Sequence, residues 1–474
     1  MKIKISIPPE AQRIIRELEA AGFRAFVVGG CVRDSLMGRE PDDWDICTDA
    51  SPAEMLEIFE GRRVIETGLK HGTLTVLGSR NDNGAWESYE VTTFRIDGDY
   101  SDNRHPDSVS FTREIEEDLS RRDFTVNAMA YSDKEGLIDP FGGAADIQRK
   151  IIRCVGEPET RFNEDALRIM RCIRFSSVLG FAVEDETGKA AVKLKSLLDN
   201  IAAERIRVEL DKLLCGDGAP RVLREYRDVI AQIIPEVKEA FDFDQQTPYH
   251  VYDVWEHTLH VVGNIEQEPV LRLAAFFHDL GKPDVFSVRD GRGHFYRHER
   301  VSEEYARTIM RRLKYDNETK EKVCALVENH GVVFRDSEKQ VRRLLNKLGE
   351  EGLRDLIRLE LADVKSQAPQ FTDERIELIS NFSRLVDKVL EDEQCFSMKD
   401  LAVDGKDVLN MGIKQGPEVG RIMNCLLDKV LEGELENERE ALISEARRIA
   451  RSRGGNVDAD LNADAGEGAG KQIH

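Results

Sequence analysis

A chain of 474 residues is longer than one compact core needs, so two to four domains are expected. With 68 basic against 90 acidic residues and a formal net charge of −22, the whole surface cannot serve non-specific nucleic-acid binding, and any RNA contact must be local. Eight cysteines without a C-x-x-C pair point to a reducing, cytoplasmic setting, no apolar run nears the roughly 20 residues of a membrane span, and the start lacks a signal-peptide core.

From about residue 10 to about 140 helical and strand patterns alternate. Pro9 to Ala21 is amphipathic, and short β-rich runs follow at 23–28, 43–47, 64–67, 73–77 and 89–94, with a turn at Asn81 to Gly84. The first run ends in Gly29-Gly30, where the backbone turns tightly and comes close to a phosphate, followed by Arg33-Asp34. Asp43 and Asp45, two apart on the next strand, point to one face. Paired carboxylates are the hard oxygen ligands that Mg²⁺ prefers when it also holds substrate phosphates, so a nucleotidyl transferase is indicated. Glu90, on one strand face with Thr92, is either a third carboxylate of that site or an ordinary solvent-facing residue. Ile96 to Phe111 is polar without a core pattern, a length that is functional or disordered inside a compact domain. Arg121-Arg122-Asp123-Phe124-Thr125-Val126-Asn127 then sets a basic pair before Asp123 and Asn127, four apart on a helix face.

The order strand, Gly-Gly, Arg33-Asp34, Asp43-Trp44-Asp45, then Arg121 to Ala130, resembles the class II tRNA nucleotidyltransferase and bacterial poly(A) polymerase family. The resemblance implies that Asp43 and Asp45 are catalytic and hold Mg²⁺, and that Arg122 clamps the triphosphate while Asp123 and Asn127 hold the ribose or order the site. It implies that the loop at 97–110 serves the final A addition, which a CC-only enzyme would not need. Beyond Asp146 strand signals nearly vanish and helical periodicity runs to about residue 452, giving an α+β chain: a small mixed-sheet head, then an all-helical neck, body and tail. In Asn163-Glu164-Asp165-Ala166-Leu167-Arg168, Asn163 reads as an N-cap, with Asp165 and Arg168 three apart on one face. A carboxylate that accepts and a guanidinium that donates match the amino group and ring nitrogen of cytosine and adenine, and reject uracil and guanine. A first-turn acid in an i,i+3 ion pair is the plain alternative. Gly29, Gly30, Arg33, Arg122, Asp123, Asn127, Asp165, Arg168 and Arg171 form the expected nucleotide-binding set, and Glu204 to Leu210 matches the family's next motif and braces the Asp165 helix.

A second constellation follows: His257, then His278-Asp279, Lys282, His298, His330 and Asp363. Imidazole and carboxylate ligands suit a metal that activates water. The pattern resembles the HD-domain metal-dependent phosphohydrolases, which implies His257, His278, Asp279 and Asp363 as core ligands, Lys282 as an accompanying residue, and His298 and His330 as the extra histidines of two-metal versions. The implied metal is a divalent transition ion such as Ni²⁺, Mn²⁺ or Co²⁺. Gly405, Gly412 and Gly416-Pro417 lead into a helix near Glu418, a phosphate-binding helix start or an ordinary connection.

The expected domains are 1–145 head, 146–220 neck, 221–370 HD body, 371–453 tRNA-binding tail and 454–474 disordered. Arg121-Arg122, Arg311-Arg312 with Lys314, and Arg447-Arg448 are among the candidate RNA patches. The leading expectation is addition of C, C and A to the 3′ end of tRNA from CTP and ATP, with additional hydrolysis at the HD site. Poly(A) polymerase, an A-only tRNA enzyme, and an HD phosphohydrolase with an RNA-binding head are the alternatives.

Overall fold

The computed structural model describes residues 4–80, 84–98, 108–392, 397–413 and 415–452. The chain divides into two compact units, Met1–Glu328 with Ser366–Ala368, and Asn329–Lys365 with Pro369–His474. Most of the 97–110 loop and the whole 454–474 tail lie outside the described residues.

The first unit opens with α1 (Pro9–Ala20), which has proline in its first turn and buries Ala11, Ile14, Ile15 and Leu18 along one stripe. Then come β1 (Ala25–Val28), α2 (Gly30–Leu36), β2 (Ile46–Thr48), α3 (Pro52–Ile58), β3 (Val64–Ile65), β4 (Thr73–Arg80) and β5 (Trp86–Thr93). A ribbon of β6 (Arg95–Asp97) and β7 (Val109–Phe111), helix α4 (Ile115–Ser120), β8 (Ala130–Ser132) and β9 (Gly136–Ile138) complete the head. Seven strands form one mixed sheet in the order β3-β4-β5-β2-β1-β8-β9, in which β2 and β5 run parallel. All four residues of β1 are buried because both faces of the sheet are covered: Ile14, Leu18, Val27 and Val91 lie in one cluster, Phe26, Val28, Phe94 and Leu119 in the other.

The five strands expected from the sequence are present, with one shift. The run at 43–47 becomes a strand only at Ile46, so Asp43 and Asp45 lie on the extended approach to β2 and not within it. The backbone of Asp45 is already tied in, its carbonyl accepting from the Val28 N–H at 3.0 Å.

Beyond the head, α5 (Gly143–Arg149), β10 (Ile151–Ile152), α6 (Pro158–Glu164), α7 (Leu167–Leu179), β11 (Ala182–Val183), α8 (Asp185–Lys193) and α9 (Ala203–Leu214) form the neck, with β10 and β11 paired in parallel. The unit continues through α10 (Ala219–Glu225), α11 (Arg227–Ile233), α12 (Val254–Asn264), α13 (Pro269–Phe277), a hairpin of β12 (Ser287–Arg289) and β13 (Arg292–His294), α14 (His298–Arg312) and α15 (Asn317–Asn329). The chain breaks helix near Gly216–Pro220 and around Pro248, where the sequence places its breaks.

The second unit is helical: α16 (Glu338–Lys365), interrupted at Gly349 by a backbone φ of 71°, α17 (Thr372–Glu391), α18 (Gly405–Leu409), α19 (Pro417–Leu431) and α20 (Arg439–Arg451). The last three close on their own core around Val408, Ile422, Leu426, Leu442 and Ala446. No helix among the described residues is long and apolar enough to cross a membrane.

Candidate active site

Gly29 ends β1 with φ 83° and ψ −125°, a conformation open only to glycine at low cost. Its N–H donates to the Met129 carbonyl at 3.0 Å, and a Cβ on it would stand 2.8 Å from Nη1 of Arg122. The Arg122 guanidinium thus lies close against the Gly29 backbone.

The parallel register pairs Ile46 with Val91, so Asp45 and Glu90, each one residue earlier, fall side by side. Burial, then the charge of Asp43, and more weakly that of Glu90 push the Asp45 carboxyl up to about 6, against the charge of Arg122. Glu90 is exposed to solvent, and its charge acts on Asp45.

The Arg121–Ala130 motif differs from its expected form. Asp123 and Asn127 do not share an α-helix face; α4 ends at Ser120, and Thr125–Asn127 is a single 3₁₀ turn. Side-chain bonds still bring them together, Asn127 Nδ2 donating to Asp123 Oδ1 at 3.2 Å. Arg33 donates to Asn127 Oδ1 at 2.6 Å and to both oxygens of Asp34 at 2.9 and 2.7 Å. Arg171 of α7 donates twice to Asp123 Oδ2, at 2.8 and 2.6 Å. Burial alone would raise the Asp123 carboxyl, but Arg171, Arg168 and Asn127 hold it down at about 2.

The Asp165–Arg168 region is also rearranged. Asn163 is inside α6, its amide donating to the Glu159 carbonyl at 2.8 Å, and is not an N-cap. Asp165 is extended (φ −133°, ψ 104°) in the break between α6 and α7, where Oδ1 accepts from the Leu167 N–H at 3.1 Å. Among the described residues no ion pair joins it to Arg168; Asp165 meets Arg205 of α9 at 3.3 Å instead. Arg168 is buried and donates to Glu164 at 2.6 Å, to the Arg161 carbonyl at 3.2 Å and to the Arg121 carbonyl at 2.9 Å. Helix α9 braces α7 as expected, with Glu209 accepting from Arg174 at 2.8 Å.

A second centre lies farther along the same unit. His257 on α12, His278 at the end of α13, and Asp279 place one ligand atom each within 4.8 Å of one another, all buried. His278 Nε2 is 3.1 Å and His257 Nε2 3.5 Å from Asp279 Oδ2, and His298 Nε2 is 3.2 Å from Oδ1. Lys282 reaches Oδ2 at 2.7 Å, and its Nζ also donates to Gln245 at 2.8 Å. His278 and His298 pair Nδ1 with the carbonyls of Ala275 and Phe295 at 2.8 Å, the arrangement that presents Nε2 lone pairs to a metal. Burial opposes ionisation of Asp279, yet His278, Lys282 and His298 hold its carboxyl well below the usual range. His330 and Asp363 belong to the second compact unit.

The chain matches the Poly A polymerase head domain over residues 25–153, the RNA and SrmB-binding site of polymerase A over residues 180–241, and tRNA nucleotidyltransferase domain 2 over residues 295–446. It is 36% identical over 438 residues to the CCA-adding enzyme of Geobacillus stearothermophilus, covering 92% of this chain and 96% of that one. The CCA-adding enzyme of Pediococcus pentosaceus is 34% identical over 447 residues, with 93% and 98% covered. The crystal structure of the Bacillus stearothermophilus CCA-adding enzyme in complex with CTP superposes with a TM-score of 0.73 at 31% identity, covering 94% of this chain and 99% of that one. The chain belongs to the CCA-adding tRNA nucleotidyltransferases.

In a CCA-adding enzyme the transfer chemistry implies a divalent metal, and the oxygen donors of Asp43, Asp45 and Glu90 are suited to one. The His–Asp cluster is suited to another. Several residues around these centres escape a sequence reading: Glu164 and Arg161, which hold Arg168, and Gln245, which holds Lys282, whereas Arg205, which meets Asp165, lies in the bracing motif the sequence singles out. His250 is another, its ring set edge-on against His257 with centroids 4.7 Å apart. Its only sequence signal is its place in Tyr249-His250-Val251-Tyr252, seven residues before a ligand candidate.

Proposed function

We propose that the head adds C, C and A to the 3′ end of tRNA from CTP and ATP through Asp43 and Asp45, and that Asp165 and Arg168 choose the base. The observation that carries this reading is the convergence of three carboxylates, Asp43, Asp45 and Glu90, beside the Arg122 guanidinium, in a chain of the CCA-adding family. Mg²⁺ held there would neutralise the triphosphate and the attacking oxygen. Arg122, laid over the Gly29 turn, supplies the fixed positive charge on the phosphate side. The chain of bonds Asp34–Arg33–Asn127–Asp123–Arg171 ties that turn to α7, so phosphate and base sites share one frame.

Base choice follows from donor counting. A guanidinium has five N–H donors; Arg168 gives three to Glu164, Arg161 and Arg121, and the remaining two face no acceptor among the described residues. Those two donors with an Asp165 oxygen present a donor–acceptor edge to cytosine N3 and N4 or adenine N1 and N6. Uracil and guanine reverse that pattern and leave partners unpaired, at about 1–3 kcal/mol each.

A second activity is favoured by the His–Asp cluster. His257, His278, Asp279 and His298, with Lys282 beside them, suit a transition metal such as Ni²⁺, Mn²⁺ or Co²⁺ and hydrolysis of a phosphoester. The free cysteines accord with work in a reducing cytoplasm.

The test is extension of tRNA lacking its 3′ end, with product lengths resolved. CTP alone should add two residues, and CTP with ATP three. Extension only of tRNA already ending in CC, and only with ATP, would make the chain an A-adding enzyme; long A tails would make it a poly(A) polymerase.

A further inference from the structure

The segment between α13 and α14 carries a hairpin surface outside the residues assigned above to CCA addition. Asp290 and Gly291 both have positive φ, 52° and 70°, the two-residue turn that matches the twist of a hairpin. The register pairs Ser287 with His294 and Arg289 with Arg292, and strand alternation puts these four side chains on one face. The opposite face is fixed: the Gly293 N–H donates to the Gln246 carbonyl at 2.8 Å, and a Cβ on Gly293 would lie 2.2 Å from the Gln245 carbonyl oxygen. Phe286 packs against Phe243 and Phe295 beneath, with centroids 5.3 and 5.5 Å apart.

The outer face has an unusual composition for so acidic a chain. The His294 and Tyr296 rings are stacked, centroids 5.4 Å apart and planes 4° from parallel, and the Arg289 guanidinium lies 5.5 Å from the Tyr296 ring centre. Tyr296 is 60% exposed. Arg289, Arg292, Arg297 and Arg300 are all exposed, and among the described residues none of them meets a carboxylate. Farther along α14 the contrast is direct: Arg307 is held by Glu303 and Glu321, and Arg312 by Glu236.

Unneutralised guanidiniums interleaved with stacked rings fit a flexible polyanion that offers flat faces, which is single-stranded RNA. A paired helix would bring phosphates and keep its bases stacked away from Tyr296. We propose that this hairpin face binds an unpaired stretch of RNA, its bases on Tyr296 and His294 and its phosphates on Arg289 and Arg292. The same segment supplies His298 to the His–Asp cluster two residues after Tyr296, but the binding surface does not depend on hydrolysis there.

The experiment is anisotropy titration of a labelled, unstructured oligoribonucleotide with the full chain over a range of salt. Arg289→Ala/Arg292→Ala should weaken binding and lower the slope of log affinity against log salt by about 1.4, roughly 0.7 for each lost phosphate contact. Tyr296→Ala should weaken binding roughly 5- to 150-fold with the slope unchanged, and Tyr296→Trp should retain it. Thermal midpoints equal to wild type confirm that these surface changes leave the fold intact. No binding by wild type, affinities within twofold in all variants, the same losses with a fully paired duplex, or binding to acidic-lipid vesicles in place of RNA would each overturn the proposal.

Discussion

The half-buried Asp45 of the head and the fully buried Asp279 of the His–Asp cluster are shifted in opposite directions. Burial first, then the charge of Asp43 and more weakly that of Glu90, raises the Asp45 carboxyl to about 6, with Arg122 opposing. Asp279 is enclosed by His278, His298 and Lys282, and its carboxyl falls well below the usual range. Carboxylates in surroundings like those of Asp45 favour a bound divalent cation, whose charge would offset theirs. The second centre instead sets a lysine, Lys282, directly on the Asp279 carboxylate at 2.7 Å.

That contrast is broken most severely by removing each set of ligands in turn. Asp43→Ala or Asp45→Ala should lower both C and A addition by about a thousandfold or more, the several kcal/mol that metal-held charge contributes to transfer. Affinity for tRNA should stay within a few-fold, and phosphoester hydrolysis with added Ni²⁺, Mn²⁺ or Co²⁺ should be untouched. His278→Ala/Asp279→Ala should do the reverse. Loss of both activities in either variant would mean that the centres are not separate.

The base-reading pair sharpens the comparison, because it selects by hydrogen-bond pattern and not by net charge. Asp165→Asn or Arg168→Gln should shrink discrimination against UTP roughly 5- to 150-fold, corresponding to about 1–3 kcal/mol for each unpaired group. Glu164→Gln should act in the same direction and more weakly, since Glu164 meets Arg168 and not the base. Ratios of CTP to UTP incorporation read this directly; unchanged ratios with lowered stability would make Asp165 and Arg168 structural.

Legibility in the sequence followed the range of the interactions. The apolar run of β1, the Gly29-Gly30 turn and the Asp43–Asp45 spacing are local, and they appear in the structure within a residue or two. The break between α6 and α7 has no glycine or proline to announce it: Asp165 leaves the helix while held by Arg205, 40 residues away, a partner that spacing does not reveal. The bond from Arg171 to Asp123 spans 48 residues and is equally hidden. The β12–β13 hairpin had its Asp-Gly turn signal, but arginines flank the turn where a strand pattern would show alternating apolar residues. Nothing in His278-Asp279 states that Lys282 would share the same oxygen.

The smallest expected effect tests whether the head's frame is held by charge or only by packing. Asp123 is buried, and its carboxyl is lowered from 3.8 to about 2 against a burial that pushes the other way. A carboxylate with a depressed folded-state pKa contributes stability that is present above its unfolded value and lost as pH falls through its folded one. The contribution is about 2 kcal/mol at neutral pH, constant down to about pH 4 and fading toward pH 2. Asp123→Asn keeps the shape and the bond to Asn127 but removes the charge facing Arg171. Its urea midpoint should therefore fall relative to wild type at pH 7 and pH 5 by equal amounts, and the gap should begin to close below pH 4. Because the pair with Arg171 ties this frame to α7, kcat/KM for CTP should drop a few-fold with the CTP-to-UTP ratio preserved. A gap independent of pH would show that Asp123 acts by packing, and the bond between the head and α7 would then owe nothing to its ion pair.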